Sequence, residues 1–191
     1  MSKLRTALVL IISFFLFGCA TANRSARKIE PGTVTLSYIP LLSASARVAL
    51  SKHVESRLSV WVDRPVFDVF VRTADDDQRL LNFGAALGTV LPVIGAAQSK
   101  KTYYFASFTV SNRFGKRFFP YLTYSYFSDF KQNKNNMHEL ALGCETIVYQ
   151  FEESSNAIIV TPEVTLLPTL DIYPFNTKFG GTLGIGFSFK L

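Results

Sequence analysis

Residues 183 to 191 read Leu183-Gly184-Ile185-Gly186-Phe187-Ser188-Phe189-Lys190-Leu191, with a large apolar side chain at every odd position and a small or polar one at every even position. In an extended chain successive side chains point to opposite faces, so this stretch carries one wholly apolar face and one small or polar face. A helix would scatter the same residues around its axis. The segment is therefore expected to be a strand, and it sets the terms for reading the rest of the chain.

Working back from it, Pro168 and Pro174 bound the approach to this last strand. Glu145 to Phe151 and Ala157 to Leu167 form a candidate hairpin around residues 152–156, with Pro162 bending its second arm or placing it at an edge. Tyr103 to Val110 and Phe118 to Phe127 flank a turn-like stretch that contains Gly115. Near the start, Val34, Leu36 and Tyr38 alternate with Thr35 and Ser37 until Pro40. Leu58 to Val62 and Val66 to Arg72 read as two strands across Asp63-Arg64-Pro65. Residues 43–57 read instead as a helix, with Ala46, Ala49, Leu50 and Val54 near one face. Residues 80–97 carry no charge and contain Gly84, Gly88, Pro92 and Gly95; a buried or interface segment, such as a hairpin of helices or a plug, fits this composition.

The chain has 191 residues, 18 of them Phe and eight Tyr, more aromatic surface than a small soluble core requires. Its formal charge of +6 permits attraction to anionic membranes or nucleic acid. The basic residues are scattered, however, and the N-terminus directs the chain out of the cytoplasm, so a nucleic-acid partner is not expected. Lys3 and Arg5 precede an apolar run over residues 7–18, an export signal too short for a permanent span. Residues 20–32 are polar and carry Arg24, Arg27 and Lys28, which suits a short tether whose basic groups either lie on anionic headgroups or are simply solvated.

Leu16-Phe17-Gly18-Cys19 resembles the lipobox of bacterial lipoproteins. The resemblance implies a signal peptide over residues 1–18, acylation of Cys19, a lipidated tether over residues 19–32 and one β-rich domain over residues 33–191. With no Asp after Cys19, it also implies delivery to the outer membrane. Cleavage before Cys19 removes Lys3 and Arg5 and lowers the side-chain charge to +4. Cys144 would then be a lone thiol, expected to be buried. Residues 183–191 are in turn similar to the C-terminal strand of outer-membrane β-barrels, with Leu191 where that family ends in Phe or Trp.

Hydrocarbon tolerates no unpaired backbone groups, so a sheet crossing it must close. The fold expected is an all-β antiparallel barrel of about eight strands with a short accessory helix; the alternative is a lipid-tethered periplasmic β-sandwich. Phe118, Phe119, Tyr121, Tyr124, Tyr126, Leu183, Ile185, Phe187, Phe189 and Leu191 are the expected membrane or partner interface, and Gly84, Gly88 and Gly95 possible packing contacts.

Chemistry is harder to find. His53 and His138 are the only histidines, no paired-cysteine motif exists, and Asp75, Asp76 and Asp77 lack the spacing of a calcium loop. Ser155-Asn156-Ala157 resembles the serine-containing strand of the lipid A 3-O-deacylase family, which carries a histidine shortly before the serine. Here residues 151–154 are Phe, Glu, Glu and Ser, leaving only His138 to activate the hydroxyl. No catalytic residue, metal or cofactor is expected. The leading expectation is a structural or docking component of the outer membrane or of an envelope complex, with outer-membrane lipid, envelope proteins or a second copy as partners. Alternatives are a small pore or lipid-handling barrel, and a membrane-surface hydrolase using Ser155 and His138.

Overall fold

A computed structural model describes residues 24–39, 43–61, 64–73, 81–92, 102–129, 136–151, 156–166 and 179–191. Ten strands run in chain order: β1 Thr33–Ile39, β2 Ser43–Ala49, β3 Val54–Trp61, β4 Arg64–Arg72, β5 Leu81–Val90, β6 Tyr103–Asn112, β7 Phe118–Ser128, β8 Met137–Gln150, β9 Ala157–Leu166 and β10 Phe179–Lys190. Each pairs antiparallel with its sequence neighbours, and β1 also pairs with β10, Leu36 opposite Phe187 and Tyr38 opposite Ile185. The sheet is a closed barrel with no free edge.

Two expectations are corrected. The barrel has ten strands where about eight with an accessory helix were expected, and the described residues contain no helix. Closure through β1 and β10 also replaces the sandwich, which would need two separate sheets. The helix expected over residues 43–57 is instead the β2–β3 hairpin. Ser43, Ser45, Arg47 and Ala49 are buried while Ala44, Ala46 and Val48 are more open, a period of two masked by weakly apolar alanines on one face and polar groups on the other. Its turn is tight, with Leu50 N–H donating to the Val54 carbonyl at 2.9 Å and the Ser51 hydroxyl accepting from the Val54 amide at 3.0 Å.

Of residues 80–97, positions 81–90 form β5, and Gly95 lies outside the described residues. Here too glycine and alanine hid the alternation. Leu81, Phe83 and Leu87 face out, while Asn82, Gly84 and Ala86 face in. No helix among the described residues is long and apolar enough to cross a membrane, which leaves open a crossing by strands.

Along the wall the two faces have opposite chemistry. Outward stand Leu58, Val60, Phe67, Leu87, Phe108, Leu122, Leu142 and Ile185, each between 45% and 71% exposed. Inward stand Ser, Thr, Arg, Asp and Glu side chains, buried to within a few per cent. A water-soluble barrel would place these the other way round.

The antiparallel order with an even number of strands brings both chain ends to the same rim. The chain enters that rim from inside. Residues 24–29 occupy the lumen, with Ser25, Ala26 and Ile29 all buried. They reverse into β1 through Glu30-Pro31-Gly32-Thr33, where the Thr33 amide donates to the Glu30 carbonyl at 3.2 Å and Gly32 adopts φ +78°. Pro followed by a positive-φ Gly is the requirement of a type II turn. Lys190 at the end of β10 pairs with Glu30 at 2.9 Å across the same rim.

Candidate functional site: the lumen

The wall strands place five buried acids inside the barrel: Glu55 on β3, Asp68 on β4, Glu139 and Glu145 on β8, and Glu163 on β9. Among the described side chains, the wall supplies three buried arginines to match them, Arg47, Arg57 and Arg72. Two further positive charges come from the N-terminal segment and join acids that the wall arginines also hold. Arg24 donates through Nη1 to Glu55 Oε1 at 2.8 Å and through Nη2 to Asp68, and its guanidinium lies 4.5 Å from the centre of the Phe70 ring. Arg27 donates through Nε to Glu145 Oε2 at 3.3 Å and lies over Phe119.

The wall arginines complete the network. Arg57 donates to Asp68 Oδ2 at 2.6 Å, Arg72 to Glu55 Oε2 at 2.7 Å and Arg47 to Glu145 Oε1 at 2.8 Å. Arg72 also reaches the carbonyl of Arg27 at 2.7 Å, and the Ser111 hydroxyl accepts from the Ala26 amide at 3.0 Å. Ser25 gives both its hydroxyl and its amide to Glu145. Charges withdrawn from water must be paired and hydrogen-bonded to be tolerated, and each of these carboxylates has at least two such partners. The segment thus gives Glu55, Asp68 and Glu145 further partners and the wall holds the segment's backbone, while Nε of Arg47 and Nε of Arg72 stay buried without a hydrogen-bond partner among the described residues.

The remainder of the lumen divides into two sectors. From β4 to β8 it is filled by rings and large apolar groups: Val66, Val90, Tyr103, Phe105, Phe127 and Met137 cluster towards the end away from the chain termini, and Phe70 packs with Ala26 and Ala86 nearer the entering segment. Glycines opposite make room. A Cβ on Gly84 would fall 2.1 Å from the Phe70 ring, one on Gly88 2.5 Å from Phe105, and one on Gly143 2.5 Å from Tyr121. Around β9, β10, β1 and β2 the lining is mostly small and polar instead, with Ser37, Ser45, Thr161, Thr182, Gly184 and Gly186 beside Ile39, Arg47 and Glu163 around a void of about 20 Å³. A second void of about 20 Å³ lies beside Arg24 among Arg57, Phe105 and Ser107. Each is the room of about one water molecule.

The residues singled out from sequence fall in three places. Phe118, Tyr124, Leu183, Ile185, Phe187 and Leu191 are exposed on the outer face, with Tyr126 and Phe189 half-buried beside them. Phe119 and Tyr121 point into the lumen, where the Tyr121 hydroxyl donates to Glu163 Oε2 at 2.7 Å. Gly84 and Gly88 also face inward, beneath rings. Cys19, Gly95, Ser155 and Asp75 to Asp77 lie outside the described residues. His138 sits on the outward face of β8, its Nδ1 2.6 Å from the Tyr124 hydroxyl and its ring near Tyr126. Cys144 is a buried free thiol. No group of three or more His, Cys, Asp or Glu among the described residues could hold a metal ion.

Sequence reasoning missed the ion network. The signal was present in the alternation of Glu55, Arg57 and Ser59, and of Asp68, Phe70 and Arg72, which puts opposite charges on one face of adjacent strands. Arg24 and Arg27, read as belonging to a tether, are buried in the lumen or nearly so. No family model and no curated protein matches this chain.

Proposed function

We propose that this protein is a membrane-embedded β-barrel of the outer-membrane type that acts as a small pore, held closed at rest by residues 24–29. One observation carries the reading: an apolar outer wall surrounds a polar lumen whose buried ion network is joined by two arginines of a segment that takes no part in the wall. A barrel built only to hold its shape needs no separate filler. Withdrawal of the segment would vacate, as the open path, the space beside β3, β4, β6, β7 and β8 that Arg24, Ala26 and Arg27 fill.

The test is planar-bilayer conductance of the full chain beside Arg24→Ala/Arg27→Ala. The wild type should be closed for most of the record, and the double variant should open more often or to a larger level. If neither passes current the pore reading fails, and if the chain is monodisperse without detergent the membrane reading fails as well. A second reading is a permanently filled barrel that serves as a structural or docking body of the envelope. The apolar cluster of Tyr103, Phe105, Phe127 and Met137 favours it, because those rings belong to the wall and cannot be withdrawn. It predicts no current from either protein.

A further inference from the structure

The seat of Arg24 is itself a built site. Two carboxylates, Glu55 and Asp68, accept from the two ends of one planar guanidinium, and the Phe70 ring lies 4.5 Å from its carbon. This is the geometry that suits a flat, forked cation: paired acceptors at its edge and an aromatic face beneath it. A compact ammonium can satisfy the charge but cannot fork between both acids while stacking on the ring. The surroundings are also negative once the segment is discounted, with six buried acids, Asp129 after β7 included, against three buried arginines among the described residues.

We infer that the pocket formed by Glu55, Asp68 and Phe70 is a binding site for guanidinium-bearing solutes, occupied at rest by Arg24 as an internal ligand, and that the unplugged lumen selects cations. The second part rests on the pore reading; the first does not. When Arg24 withdraws, Glu55 keeps Arg72 and Asp68 keeps Arg57, but Glu55 Oε1, Asp68 Oδ1 and the face of Phe70 that Arg24 covered are freed together, and a free guanidinium restores the contacts that Arg24 made. The lumen then favours cations by charge and retains guanidinium compounds by shape.

Chemical rescue tests the site without any current. Arg24→Ala should lower the midpoint of the heat-dependent gel-mobility shift, and low-millimolar N-propylguanidinium should recover at least half of the loss. N-propylammonium and sodium at equal ionic strength should recover little, and Arg24→Ala/Glu55→Gln/Asp68→Asn should not respond. Arg24→Gln, which keeps most of the side-chain stem, serves if the alanine variant does not fold. Equal rescue by propylammonium, or rescue that survives loss of both acids, overturns the site. Selectivity is read from the reversal potential of Arg24→Ala/Arg27→Ala in a salt gradient. A shift towards the cation equilibrium potential, with current reduced by propylguanidinium, supports it. A shift the other way, or none, overturns the selectivity while leaving the pore, and absence of current from every variant removes pore and selectivity together while the rescue result still decides the site.

Discussion

The two sectors of the lumen are filled by different means. Between β4 and β8 the wall's own rings occupy the interior, and glycines on neighbouring strands are fitted beneath them, Gly84 under Phe70, Gly88 under Phe105 and Gly143 by Tyr121. Around β9, β10, β1 and β2 most inward side chains are Ser, Thr and Gly, and the long ones, Arg47 and Glu163, are drawn out to Glu145 and Tyr121, so a void remains. Space in the first sector is set by covalently fixed wall side chains. In the second the void is bounded by wall residues, while residues 24–29 lie against the first, with Ala26 and Arg24 on Phe70 and Arg27 over Phe119. A ten-strand wall is therefore compatible with both a tightly fitted half and a looser one.

The largest way to break this contrast is to remove the acid that ties the entering segment to the ring-filled sector. Asp68→Ala leaves Arg24 and Arg57 without their shared carboxylate, and we expect a loss of about 3–5 kcal/mol, because an uncompensated buried charge costs far more than the pair contributes. The urea midpoint of the folded fraction in detergent measures it. Next, Gly84→Ala drives a methyl group into the Phe70 ring and should cost about 1–3 kcal/mol as overpacking. A midpoint equal to wild type would mean that Phe70 moves freely and that the sector is not solid.

Smaller effects sharpen the other side. Glu163→Gln keeps an oxygen able to accept from the Tyr121 hydroxyl, whose present bond is 2.7 Å; the loss should be about 1 kcal/mol, that of a weakened charge-assisted hydrogen bond. Gly184→Ala should be the mildest. Its Cβ would meet Ile39 at 3.5 Å and the Thr161 carbonyl at 3.6 Å, ordinary contacts, so the change should stay within about 0.5 kcal/mol. A large loss there would show that the small-residue sector is as tightly fitted as the aromatic one. Placing Gly84→Ala and Gly184→Ala side by side therefore tests the contrast with one methyl group in each sector.

Legibility in the sequence followed the size of the side chains. β1, β6, β7, β9 and β10 could be read because Leu, Ile, Phe or Tyr alternate there with smaller or polar residues, as in Leu183 to Leu191. β2, β5 and the first half of β8 could not, because alanine and glycine blur a period of two: Ala44 and Ala46 face out, whereas Ala86 and Ala141 face in. The lumenal network was hidden for a different reason. Pairing between Arg24 and Asp68 spans 44 residues and that between Arg47 and Glu145 spans 98, so no local pattern announces either. A basic stretch such as Arg24 to Lys28 looks solvated until the wall that receives it has been assembled. The Pro31-Gly32 turn that sends it inward was visible as two residues, but its direction was not.

The seam between β1 and β10 imposes an order on biogenesis. Val34 meets Phe189 and Thr33 meets Lys190, partners separated by more than 150 residues, and contacts so distant along the chain are slow to form because a large loop must close first. Until β10 has paired with β1 the cylinder cannot be shut, and the basic stretch before β1 lies beside an unfinished wall whose acids need it. Packing it in while the seam is open requires no threading. Closure of the seam thus encloses a filler that has already met its partners.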